Sequence, residues 1–460
     1  MNSHCDTSLA SRQRCRVGPV VRGLCLATGL AACSGLLDVK NPNNVNATDL
    51  DNPAAGFALA NGALSALAYG WGAILTEYAT ATDELTWTGS RDGFRELDVG
   101  TLTNATNEFT DAAFPYVGRA RWMADLAIKK LSGFDSAGTI KSRDDLARSY
   151  LYGALAYAMI GDNFNNFPIG SNMQQAAPPL GRDKMDSVDA VAISYATRGL
   201  TIAQATSNRT LQLPLLAMRA RAAHARAVWR LTHPVGPGVP TGGTGLVNDP
   251  AANTDAQAAL LLATTDWRFR FSYSATTVDN YIGGWVNSRQ EMRFGDRYVN
   301  RGTKDTLRDP ISGSVDPEMR RAVIEFVGTA ATQSYQPLTA LSARELHLIL
   351  AEAALATGDT VGPASGFAGH INVRRVLDNL GSYDPSNPAH PRPLAMLKYE
   401  RQVNLFLQGR RLQDLYRFRD GADAWQPGTD VLSAPGTLFP ITQIELLSNP
   451  YCVQSPVACQ

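Results

Sequence analysis

The stretch ELHLILAEAALATGD, residues 345–359, decides the fold. Its apolar residues Leu346, Ile349, Leu350, Ala353 and Ala354 recur at i, i+3, i+4, i+7 and i+8, which is one stripe of an α-helix. Ser342 and Glu345 form an S-x-x-E capping box able to satisfy two backbone N–H groups at its start, and Gly358-Asp359 ends it. A second helical run carries Phe367, Ile371, Val376 and Leu377. A third, LAMLKYERQVNLFLQGRRLQDLYRF, extends from Leu394 to Phe418. Short helices joined by a glycine turn, with alanines that permit close approach, make a unit of a helical-hairpin repeat.

A second copy supports that reading. Aligning Gly161-Asp162 with Gly358-Asp359 places Ala154 and Ala156 where Ala351 and Ala353 stand, and Ser142 with Asp145 repeats the cap. The pattern is similar to a tetratricopeptide repeat without its usual tryptophan, and predicts a mainly α fold.

The segments AEAALATGD, INVRRVLDNL, YERQVNLFLQGRRLQDLYRF and TLFPITQIELLSNP resemble, in order and spacing, the C-terminal half of SusD/RagB-type nutrient-uptake outer-membrane lipoproteins. LLDVKNPNNVNATDL and the ATDEL of Ala81 to Leu85 resemble the N-terminal half. The resemblance implies a surface lipoprotein that sits as a lid on a TonB-dependent, SusC-like outer-membrane barrel and passes it an oligosaccharide or a peptide, with no cofactor and no catalysis. Where the family carries acidic residues this chain has Asn404 and Gln408, and Thr442 replaces a proline. The lost carboxylates lie near Arg401, Arg410 and Arg411, which suggests an altered surface ion-pair network of small energetic weight.

Upstream, Arg12, Arg14, Arg16 and Arg22 precede a short apolar run from Leu24 to Ala32, and Leu30-Ala-Ala-Cys33 is a small-residue cleavage pattern ending on cysteine. This reads as a lipoprotein signal over residues 1–32, with Cys33 as the lipidated residue and 33–52 as a polar tether. The body would be 53–460, divided into an N-terminal half (53–266), an irregular insertion (267–340) and a C-terminal helical half with tail (341–460). No other apolar run reaches the ~18 residues of a spanning helix, so the expected state is anchored to the outer membrane and facing the cell exterior. A single acyl chain binds only marginally, so stable attachment needs a second signal.

With 42 basic and 42 acidic residues the chain is neutral, and it becomes slightly acidic once the arginine-rich leader is removed. No basic stripe for nucleic acid exists. Of six cysteines, Cys5, Cys15 and Cys25 leave with the leader and Cys33 takes the lipid. Cys452 and Cys459 remain, as a disulfide in an oxidising compartment or as two free thiols. So short a loop would contribute less than ~3 kcal/mol. No metal motif is present.

Along the body, helices are expected from Asn52-Pro53 to about Gly70-Trp71-Gly72, over 115–131, 144–160, 185–205, 213–231 and 254–265. In the fifth of these, AMRARAAHARAVWR, His224 reads as a surface or satisfied core residue. Trp267, Phe269, Phe271 and Tyr273 alternate with polar residues as a strand does. The rest of the insertion is aperiodic, and a long irregular insertion in a helical body is usually functional.

Two stretches mix aromatics with polar residues and glycine: 71–98, with Trp71, Trp87, Arg91 and Phe94, and 279–297, with Tyr281, Trp285, Asn287 and Arg289. Sugar rings offer apolar C–H faces rimmed by hydroxyls, so such mixtures suit a glycan site. Trp71, Trp87, Arg91, Tyr281, Trp285 and Asn287 are therefore the candidate ligand residues; the alternative is that the aromatics are simply buried under loops. Asp83-Glu84 could serve a glycoside hydrolase as acid and base, but neighbours in sequence usually point apart. No nucleophile-elbow, P-loop or dinucleotide motif supports an enzyme. A helical adaptor without a small ligand is the remaining reading.

Overall fold

The computed structural model describes residues 49–170, 176–233, 243–303, 305–329, 332–362 and 364–459. The expected leader, Cys33, the tether up to residue 48 and most of the connection 234–245 lie outside the described residues. Residues 52–460 make up one compact unit, mainly helical.

Its N-terminal half is a run of antiparallel helical hairpins. Helices α1 (Gly56–Thr80), α3 (Glu108–Ser136), α4 (Arg143–Asn163), α5 (Asp186–Ala205), α6 (Arg209–Thr232) and α7 (Pro250–Leu260) pack largely on their chain neighbours, with α1 laid against α3. Side-chain caps start several of them: Asn107 accepts from the N–H groups of Phe109 and Thr110, Asn208 from Leu211, and Asp249 from Ala252. Between α1 and α3 lie strand β1 (Leu85–Trp87) and the short helix α2 (Asp92–Asp98).

The glycines expected to end α1 instead let it continue. A Cβ on Gly70 would stand 2.9 Å from the Tyr116 carbonyl oxygen, so the missing side chain is what allows α1 and α3 to touch there. Gly72 faces the backbone of Tyr281, but there a Cβ would stand 3.5 Å from the Tyr281 nitrogen, an ordinary contact. The helix therefore runs to Thr80 with every residue from Gly70 onward buried. By length and composition it could cross a membrane, but here its apolar surface is covered by protein. Gly70→Ala would add about 1 kcal/mol of helix propensity but overpack the contact. The expected net result is a loss of about 1–3 kcal/mol, read by denaturant unfolding.

The insertion is tied back to both halves by two small antiparallel pairings. Strand β2 (Arg268–Phe271) pairs with β4 (Leu338–Ser342), and β3 (Met292–Phe294) pairs with β1 in the register Leu85↔Phe294, Thr86↔Arg293, Trp87↔Met292. Helix α8 (Pro317–Val327), capped by Asp316, lies between them in sequence.

The C-terminal half holds α9 (Ala343–Ala356), α10 (Phe367–Leu377), α11 (Pro393–Asn404) and α12 (Arg411–Arg417) around Leu348, Phe367, Ile371, Tyr383, Met396 and Leu397. Ser342 caps α9 by accepting from the Glu345 N–H, while the Glu345 carboxylate bonds Arg410 at 2.7 Å rather than closing the box. Other local expectations fail for tertiary reasons. The run 394–418 is two helices, broken where Leu407 and Gly409 adopt positive φ and the Leu407 N–H donates to Glu84. Gly161-Asp162 is no turn, since α4 continues to Asn163 and Asp162 pairs with Arg221; Ser142 makes no cap. Helices α13 (Gln443–Ser448) and α14 (Pro450–Gln454) follow, with Cys452 and Cys459 joined by a disulfide.

Candidate ligand-binding site

The β1–β3 pairing joins the two aromatic stretches singled out in the sequence. Beyond it, Glu291 accepts from the backbone N–H groups of Ser90 and Arg91 at 2.7 and 3.0 Å, which locks the loop before α2 to the turn before β3.

Most of the candidate residues serve packing within this junction. Trp71 is on a helix, not a loop, and is 4% exposed beside Phe271 and the Arg221 guanidinium. Trp285 is 9% exposed; its ring meets Phe94 and Phe109 edge-on at 5.1 and 5.3 Å, with Arg289 over its face at 4.2 Å. Asn287 donates to the carbonyls of Phe326 and Gln333, so its amide holds the insertion together. Trp87 is half-buried, and its backbone N–H donates to Asp98, whose carboxyl burial raises to about 6. The Arg91 side chain is exposed at the start of α2.

Tyr281 stands apart from these. Asn280, which accepts from the Gly283 N–H and donates to the Gln336 carbonyl at 2.6 Å, fixes the turn that presents it. Its ring lies 6.1 Å from that of Tyr69 on α1, which meets Tyr116 on α3 at 4.7 Å and 75°. Tyr69 and Tyr116, both half-buried, line an open groove of about 450 Å³ together with Arg119, Met123, Thr277 and Asp279, while Tyr281 lies behind Tyr69, between it and Trp285. Burial first, then Tyr116 and Asp279, pushes the Tyr69 hydroxyl up to about 12. Burial and Glu77 do the same for Tyr281. Both phenols therefore stay neutral near pH 7 and can both donate and accept. Flat rings, hydroxyls, one guanidinium and one carboxylate in a groove of this size are what a polyhydroxylated ligand needs.

Sequence reasoning missed Tyr69, Tyr116 and Arg119 because they lie on helices.

Asp83 and Glu84 are structural. Asp83 accepts two bonds from Arg411, at 2.7 and 2.6 Å, and one from Arg297 at 3.1 Å. Glu84 is 1% exposed; one oxygen accepts from Leu407, and burial raises its carboxyl to about 8. Neither lines the groove. The expected surface network around Arg401, Arg410 and Arg411 is also corrected, because all three are buried. Arg401 bonds Asp414 at 2.8 Å, and Asn404, 1% exposed, takes the Arg344 guanidinium at 2.9 Å. His224, read as a surface or satisfied core residue, is the latter: it is buried 3.1 Å from Glu352. Among the described residues no cluster of three or more His, Cys, Asp or Glu could hold a metal ion.

No protein-family model and no curated protein matches the sequence. Solved structures do match. A SusD superfamily protein from Parabacteroides distasonis aligns with a TM-score of 0.57 at 13% identity, over 89% of this chain and 98% of that one. A SusD homolog from Bacteroides thetaiotaomicron gives 0.58 at 16%, again over 89% and 98%. A SusD-like carbohydrate binding protein from Bacteroides fragilis gives 0.52 at 12%, over 78% and 86%. The chain has the SusD fold, and the resemblance drawn from its sequence segments extends to nearly the full length of these structures.

Proposed function

We propose that this protein is a surface lipoprotein of the SusD/RagB type that captures an oligosaccharide, or a peptide, without cleaving it and delivers it to a TonB-dependent outer-membrane transporter. The observation that carries the capture step is the groove walled by Tyr69 and Tyr116, with Arg119 and Asp279 beside them. The fold supports it, since one structural neighbour is a SusD-like carbohydrate binding protein. Attachment through Cys33 and a location on the outer membrane complete the reading; they rest on the leader sequence and on the resemblance. A hydrolase using Asp83-Glu84 is disfavoured because Asp83 is spent on Arg411 and Arg297.

A binding screen of oligosaccharides and peptides by calorimetry, with product analysis alongside, tests this. Saturable binding without product is expected. Tyr69→Ala should weaken it by about tenfold, the scale of a lost aromatic contact, while Trp87→Ala leaves it unchanged. Released sugar would overturn the non-catalytic reading. Binding of nothing would favour the adaptor.

A further inference from the structure

Helix α3 separates the tyrosine groove from a second one. This second groove, of about 540 Å³, is lined by Pro115, Gly118, Arg119, Arg121, Ile444 and Pro450 among others. Arg119 lines both. It is exposed, and it has no hydrogen-bond or ion-pair partner among the described residues. Each groove alone falls in the range of about 300–1,000 Å³ that holds one small ligand, and the two meet at a free guanidinium. Pro115, Ile444 and Pro450 give the second groove exposed apolar walls.

A buried polar group also faces this groove. Arg121 is 6% exposed and held by two bonds, from Nη1 to Asp125 and to the Gly170 carbonyl. Asp125 is fixed in turn by the hydroxyls of Tyr157 and Tyr195 at 3.0 and 2.9 Å. The Arg121 Nε–H is left with no partner among the described residues. That Nε–H has no accessible surface, so Arg121 meets the groove as a guanidinium fixed in place by Asp125 and the Gly170 carbonyl.

We infer that the two grooves are subsites of one binding cleft, so that the ligand is a linear oligosaccharide long enough to cross α3 over Arg119, not a mono- or disaccharide. This rests on the capture reading and specifies its ligand. The tyrosine groove takes one end of the chain. Arg119 donates to hydroxyl or ring oxygens at the crossing, and the second groove receives the continuation between its apolar walls and Arg121.

The test is calorimetry on the full protein with three ladders of two to eight units: maltooligosaccharides, xylooligosaccharides and oligogalacturonides. Joining a second contact to the first raises affinity by an effective-concentration gain, so the tightest ladder should gain roughly tenfold or more between its trimer and its longest members. Gly118→Leu plugs the second groove; a Cβ at Gly118 would meet only a Phe167 ring carbon at 3.9 Å, so folding should be undisturbed. It should remove the length gain and leave trimer affinity unchanged. Tyr69→Ala should weaken short and long members alike. Affinity that is flat with length, or a length gain that survives Gly118→Leu, overturns the two-groove inference while Tyr69-dependent binding keeps the capture reading. Binding of no ladder overturns the two-groove inference, and the peptide arm of the binding screen then decides the capture reading.

Discussion

Glu352→Ala is expected to cost about 3–5 kcal/mol, because it breaks a buried ion pair from one side. That is a large part of the 5–15 kcal/mol that typically separates folded from unfolded states. Glu352 and Arg417 are both fully buried, on α9 and α12. The carboxylate accepts two bonds from Arg417, a third from the Val247 N–H at 2.8 Å, and contacts His224 at 3.1 Å. Removing it leaves a guanidinium and a backbone donor in the core with no acceptor from that position. Asp414, 2.9 Å from Arg417, can compensate only in part, since it also holds Arg401. By contrast, alanine at Asp305, whose pair with Arg308 is about half exposed, should cost at most about 1 kcal/mol. Chemical denaturation of the two variants beside wild type separates these cases; equal losses would sink the claim that burial makes the Glu352 pair worth more than an exposed one.

The pH dependence follows from the same geometry. Burial alone would raise the Glu352 carboxyl, but Arg417, His224 and Arg401 outweigh it and hold the group well below its usual 4.5. A carboxylate depressed on folding contributes stability that is complete above the unfolded value and is lost as pH falls below it. Glu345 and Asp414 are lowered as well, Glu345 chiefly by Arg410 and Asp414 by Arg401 and Arg417, against burial that would raise both. Acid unfolding should therefore begin below about pH 4.5 and be shallower in Glu352→Gln.

Helices were legible in the sequence wherever the 3.6-residue period was clean, as at 345–356. What was not legible depended on distant partners. Gly70 and Gly72 read as breakers, yet the helix runs through both and Gly70 is a packing glycine, a distinction made only by Tyr116 across the interface. Arg401, Arg410 and Arg411 read as surface residues because arginine usually is. Their partners Asp414, Glu345 and Asp83 are in part hundreds of residues away, and no local pattern announces them. The groove was not legible for a related reason: none of its lining residues is among the candidates that the sequence offered. Tyr281 sits in an irregular stretch where binding residues are sought, whereas Tyr69 and Tyr116 are hidden in helical periodicity and become neighbours only through the Gly70 contact.

The opposite sign is expected for a second buried glutamate. Glu77, in the last turns of α1, is completely buried, and neither carboxyl oxygen has a hydrogen-bond partner among the described residues. Burial pushes its carboxyl well above the usual 4.5. Between about pH 4.5 and the raised folded value, the folded protein thus holds a proton that the unfolded chain has released. For an acid whose folded value is raised, the penalty is absent below about 4.5 and grows as pH rises toward the folded value. Glu77→Gln keeps the shape and removes the ionisation, so its stability advantage over wild type should be near zero at pH 4 and widen as pH rises above about 4.5. Glu77→Leu also removes the unpaired polar atoms and should add about 1–3 kcal/mol at neutral pH. Thermal unfolding of the three proteins across that range checks the sign: a wild-type deficit independent of pH would mean that Glu77 is not protonated in the fold. Glu77 acts electrostatically on Tyr281, so oligosaccharide binding by Glu77→Leu belongs in the same experiment. Unchanged affinity in a stabilised variant would show that the carboxyl is not needed to present that ring.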